Sequence, residues 1–274
     1  MNFRHLKACM GLFKIHLAEG LQYRAAAIAS GSIAVFWAFI ELSVYSVFFT
    51  YSENASNTAG MTLPMAVTYV WLGQVLFALQ PMNIDGEILT SIKNGNVGIA
   101  LCRPLSLYWH WCFKTAGGRL AGATLRCVPV VSIGLIMPAA WRMSAPASLP
   151  GFFFFLTSVC CAFMLCMSYG MLVTAIRLNL TWGDGTTYML LLVSGVLSGN
   201  YLPLKLWPDF MQTLLYYQPF AGYLDLPLRL YLGIIPPSEA LAPITLQLVW
   251  TFVFVAIGHL VLNRRLSALA VQGG

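Results

Sequence analysis

Few residues in this sequence could carry chemistry. Ser198 in GVLSG and His259 in IGHLV have the types of a nucleophile and its general base, as an intramembrane hydrolase would need. They fall in spans that run in opposite directions. At 1.5 Å per residue their depths differ by roughly 20 Å, far outside hydrogen-bond reach. The 4 histidines, His5, His16, His110 and His259, are scattered and no H-E-x-x-H occurs, so no metal centre is expected. The 7 cysteines, Cys9, Cys102, Cys112, Cys127, Cys160, Cys161 and Cys166, lack paired zinc spacing and read as small core hydrophobes. No G-x-x-x-x-G-K-[ST] occurs, so no phosphate-cradling loop is present and any ATPase must be a separate chain.

What remains is mechanical and electrostatic. Ile84, Ile88 and Ile92 recur every four residues, with Asp85, Glu87, Ser91 and Lys93 among them, which is the pattern of a short amphipathic helix. On this pattern it is either a surface helix with a solvated charged face or a helix that seats in a cleft of a soluble partner. Gly86 costs about 1 kcal/mol inside a helix, so the helix is expected to begin at Glu87 with Asp85 as its N-cap. Glu41 is an acid in the middle of an apolar run. At such depth it either lines the path of a cationic substrate or is neutralised by a proton or a neighbouring helix. Trp71 and Gln74, three apart on one helical face, could line the same cavity, or Gln74 could bond between helices.

These residues have to be positioned by helices in lipid. The 274-residue chain is 59% hydrophobic and only 9% charged, against roughly 25% charged in soluble domains. Several windows of about 20 residues carry few or no charges, the length needed to span a hydrocarbon core. One all-α membrane domain over residues 1–274 is expected to use the whole chain, as a polytopic protein of six transmembrane helices. An amphipathic elbow helix over about 1–24 lies on the inner surface, with no cleaved signal peptide. Spans follow at about 25–50, 63–79, 120–140, 152–176, 187–200 and 244–262, with a separate basic and aromatic helix (SLYWHWCFKTAGGR) before the third. The segment before the last span, broken by Pro203, Pro208, Pro219, Pro227, Pro236 and Pro237, reads as short re-entrant helices packed on protein. Its Tyr216, Tyr217, Phe220 and Tyr223 read as an aromatic belt in preference to an outer gate. The N-x-S pattern at Asn54 carries no weight.

Arg4, Lys7, Lys14, Arg24, Lys93, Arg103, Lys114, Arg119, Arg126, Arg177, Arg264 and Arg265 fall on one side of these spans. Only Arg142, Lys205 and Arg229 fall on the other. Because cytoplasmic segments carry the excess of Lys and Arg, both termini are expected inside, with Arg126 snorkelling from the third span. The formal +6 charge is thereby explained by orientation, without a nucleic-acid partner.

The central stretch resembles a known family. TYVWLGQVLFAL (Thr68 to Leu79), the D-x-E-I of Asp85 to Ile88, GNV (Gly95 to Val97) and RPLSLYWHW (Arg103 to Trp111) are similar in order and spacing to the permease subunits of type-2 ABC exporters, in the viologen-exporter-like branch. The resemblance implies half of an efflux transporter, working by alternating access with a second, same or related, permease subunit. Separate ATPase subunits would lie beneath and hold ATP and Mg. It favours a coupling-helix role for Ile84, Asp85, Glu87, Ile88, Ser91, Ile92 and Lys93. It also implies that the first and fifth spans meet across a dimer interface, to which Ala29 and the small residues Ser194, Gly195, Ser198 and Gly199 would fit, although contact within one subunit fits them equally. The exported substrate is not indicated. A bacterial inner membrane is implied. A secondary transporter or a membrane scaffold is the alternative, but an inverted repeat of broken helices, which would mark the former, is not seen.

Overall fold

A computed structural model describes residues 3–51, 61–94, 97–98, 106–179 and 184–272. Asn54, Arg103 and the side chain of Lys93 lie outside what is described. Every regular element among the described residues is helical, and four of them are long and apolar enough to cross a membrane. These are α2 (Arg24–Tyr51), α5 (Leu107–Ile136), α6 (Leu149–Asn179) and α10 (Leu241–Gln272). Two shorter apolar helices are α3 (Leu63–Leu76, prolonged by a 3-10 turn over Phe77–Leu79) and α7 (Asp184–Leu197). The amphipathic α1 (Phe3–Gln22), the short α4 (Gly86–Lys93), and α8 (Asp209–Tyr217) and α9 (Asp225–Tyr231) complete the set.

The outer surface shows why the chain needs lipid. Along α2, Ile28, Ile33, Phe36, Trp37, Val44 and Val47 are all more than half exposed. A contiguous apolar surface of that extent is foreign to a soluble monomer. Lipid is the solvent that removes its cost, and the protein is a polytopic integral membrane protein.

The centre of the bundle is α3. Ala66 to Gln74 are all buried, with Trp71 fully so. Helices α2, α5 and α9 close around it. Small residues set the spacing, as expected where packing rather than hydrophobicity drives association. A Cβ on Gly31 of α2 would lie 2.8 Å from the ring of Pro129 in α5, and one on Gly134 of α5 would lie 3.0 Å from the indole of Trp71. The elbow helix docks on the start of α5 just as closely: a Cβ on Gly117 would meet the Phe13 carbonyl at 2.6 Å. Helices α6 and α10 form a second close pair.

One expectation changes. The basic and aromatic helix and the third span are one continuous helix, α5, beginning at Leu107 and not near 120. Its Lys114 and Arg119 made the first turns look unsuited to a span. Both charges are directed at the loop after α3 and the start of α4.

Candidate functional site

Two places gather polar groups on this apolar frame. The first is the loop and helix from Gln80 to Lys93. The carboxylate of Asp85 accepts from the backbone N–H groups of Glu87 and Ile88, both at 3.1 Å, so it caps a helix that starts at Gly86, one residue earlier than its composition suggests. Lys114 on α5 bridges the two acids, 3.2 Å from Asp85 and in contact with Glu87. Arg119, also on α5, donates to the carbonyls of Gln80 and of Asn83, the latter at 2.6 Å. The loop is thus pinned to α5 by two cations whose alternative, at the membrane boundary, would be an unpaired charge.

The isoleucine stripe of α4 faces the protein itself. Ile88 is 3% exposed and packs with Leu107, Tyr108 and Trp111 of α5, Met171 and Ala175 of α6, and Leu262 of α10, while Ile84 and Ile92 flank that cluster. Ser91 is half-buried. The outward surface is Glu87, with its side chain 83% exposed, together with Thr90 and Asn94. Among the expected coupling residues, then, Ile88 is core, Asp85 is engaged in its cap and ion pair, and Glu87 is paired with Lys114 but keeps most of its side chain on the surface.

The second place is a cavity of about 450 Å³ between α2, α3, α5 and the chain just after α7. Glu41 lines it, and so does Gln74, whose amide donates to Glu41 at 3.2 Å and accepts from Arg126 at 2.9 Å. An acid on α2 and a base on α5 are therefore linked through one amide on α3. Arg126 also lies over the ring of Phe77, 5.4 Å from its centre. This network answers both questions about Gln74 at once, since it bonds between helices and faces the cavity. Trp71 does not join it. Its indole N–H donates to the Trp141 carbonyl at 2.9 Å and its ring packs edge-on against Phe39, away from the cavity.

The small residues at the end of α7 and just after it point inward. The Ser198 hydroxyl donates to Gly195 O at 2.7 Å and accepts from Gln80 at 3.2 Å, and Ser194 is 1% exposed. Gly195 faces Met82, and Gly199 takes a positive φ of 85° against Tyr69. Within this subunit Gly195 and Ser198 meet the loop after α3, while Gly199 meets Tyr69 of α3 and Asp225 of α9. The surface α7 leaves open is Tyr188, Met189, Leu192, Val193 and Val196, while Ala29 is exposed on α2. His259 stacks on Tyr108 with ring centres 4.9 Å apart, among residues that Ser198 does not touch. Among the described residues, no group of three His, Cys, Asp or Glu is placed to hold a metal ion.

Sequence reasoning missed Lys114, Arg119 and Arg126 as parts of these sites. The signal was available, because three cations inside one otherwise apolar helix demand partners. Which acceptors they meet depends on tertiary contacts 27 to 52 residues distant in sequence.

No curated protein and no solved structure matches the chain. A family model described as ABC-2 family transporter protein matches residues 25–273. That stretch holds the four helices that are long and apolar enough to cross a membrane among the described residues, together with α4 and the cavity, and with it the chain belongs to the ABC-2 transporter family.

Proposed function

We propose that this membrane subunit is half of the translocation pathway of an ATP-driven exporter of the viologen-exporter-like branch, coupled through α4 to a separate ATPase that holds ATP and Mg. The observation that carries this reading is the mounting of α4. On its buried face Ile88 shares one apolar cluster with residues of α5, α6 and α10, and its N-terminus is tied by Lys114 to α5, so a load at Glu87 and Thr90 bears on the spans through that cluster and that ion pair. A surface helix with no partner would need no such anchoring. The branch rests on the likeness of the 68–111 stretch, and export as the direction rests on it too.

A second permease, the same or related, completes the pathway. The exposed apolar faces of α2 and α7 suit such a contact, with lipid on the remainder. Glu41, Gln74 and Arg126 line the pathway side. The excess of Lys and Arg on one side supports a reading in which both termini lie on the cytoplasmic face of a bacterial inner membrane. The test is purification from native membranes in mild detergent, with co-purifying proteins identified by mass spectrometry. The reading expects a Walker-motif ATPase that is lost on Glu87→Arg with Thr90→Arg. Recovery unchanged by those substitutions would remove α4 from the contact.

A further inference from the structure

A separate apolar cavity of about 280 Å³ lies where the elbow helix α1 meets α5, α6 and α10. Its walls are Met10 and Phe13 of α1, Phe113 and Ala116 of α5, and Met164 and Met167 of α6. The two hydroxyls at its edge are already used: Ser168 donates to Leu165 O at 2.8 Å and Thr251 to Gln247 O at 2.7 Å. Nothing polar in the wall is offered to a ligand, so this is no site for water, which needs two to four polar partners. It opens through Met10 and Met164, 41% and 52% exposed, toward the lipid-facing surface.

The rim differs from the walls. Lys7 and Lys14 stand three and four residues either side of Met10 on α1 and therefore neighbour it on the helix surface. Both are exposed. An apolar slot at the membrane boundary with two ammonium groups beside its mouth matches one ligand chemistry, an acyl chain attached to an anionic head group. We propose that the slot is a binding site for an anionic phospholipid of the leaflet on the α1 side, with one acyl chain between Phe13, Ala116 and Met167 and its phosphate held by Lys7 and Lys14. The lipid then forms part of the joint between the elbow helix and the bundle. Basic groups near the membrane surface attract anionic lipid, so Lys7 and Lys14 supply the head-group preference.

The test uses the full chain in nanodiscs of equimolar phosphatidylcholine and phosphatidylglycerol, extracted gently and examined by native mass spectrometry. Wild type should retain phosphatidylglycerol in preference to phosphatidylcholine. Ala116→Leu and Met164→Trp, which fill the slot from two different helices, should lose the retained lipid. Met164 is half exposed, so its variant keeps the test open should Ala116→Leu fail to fold, with folding checked by thermal denaturation. Lys7→Gln with Lys14→Gln should keep a lipid and lose the preference. No preferential retention by wild type, or retention and preference unchanged in a folded slot-filling variant, overturns the proposal.

Discussion

The hydroxyl of Tyr69 on α3 lies 3.1 Å from the carboxylate of Asp225 on α9, across 156 residues of sequence. The same hydroxyl is 3.0 Å from the carbonyl of Gly199. Asp225 also accepts from the Leu204 N–H at 3.1 Å and pairs with Arg229 at 2.6 Å, and every residue of α9 is buried. One carboxylate thus ties together the chain after α7, the start of α9 and the central helix. It satisfies backbone that would otherwise be irregular and unpaired near apolar surroundings, which is the condition for tolerating such backbone at membrane depth.

Asp225→Asn should lower stability by about 3–5 kcal/mol, because it leaves the Arg229 guanidinium buried without its counter-charge. Tyr69→Phe should cost less, about 1–3 kcal/mol, since it removes a donor and leaves the charge pair intact. Thermal unfolding in detergent, followed by intrinsic fluorescence, checks both the sizes and the order.

Gly199→Ala should destabilise by more than a helix-propensity change would. The position has φ of 85°, and the added Cβ would lie 2.5 Å from the Tyr69 hydroxyl oxygen. A left-handed backbone costs an L-residue roughly 1–2 kcal/mol before any clash is counted. Pairing it with Tyr69→Phe should recover part of the loss, and a double-mutant cycle on melting temperature measures how much.

Gln74→Leu should destabilise by about 1–3 kcal/mol by leaving both Glu41 and Arg126 without the amide that links them. Glu41→Gln, which keeps an acceptor for Gln74, should cost less. The comparison is again thermal. If the cavity is the pathway, Glu41→Gln also lowers substrate stimulation of the reconstituted ATPase while leaving its basal rate in place.

Ser198→Ala should leave the oligomeric state unchanged, because Ser198 bonds to Gln80 inside the subunit. Val193→Arg, on the exposed face of α7, should weaken any pairing of permeases made there. Size-exclusion chromatography with light scattering separates the two outcomes.

Much of the architecture was legible because lipid makes strong demands. Spans α2, α6 and α10 stand out as long runs nearly free of charge, and the prolines between 203 and 237 mark the short helices. Lys114 and Arg119 show where legibility ended. Read locally they argue against a span, and only the folded loop reveals that Asp85 and Glu87 pair with Lys114 and that the Gln80 and Asn83 carbonyls accept from Arg119. The isoleucine stripe of α4 was legible as a face, whereas its direction was not. Period alone cannot tell whether an apolar face meets the chain's own helices or a partner. The serines and glycines of α7 had the same ambiguity, since small residues allow close approach to any backbone. Trp71 and Gln74 share a helical face by spacing, but side-chain length and the position of Trp141 send the indole one way and the amide another.

The most direct measurement of the coupling role is site-specific photocrosslinking from position 87, with Glu87 replaced by p-benzoylphenylalanine in the full chain in native membranes. The account predicts an adduct whose second component is a Walker-motif ATPase, and no such adduct when the probe is placed at lipid-facing Phe252 instead. Crosslinks from position 87 to lipid alone, or to no protein while the subunit remains folded, would contradict it.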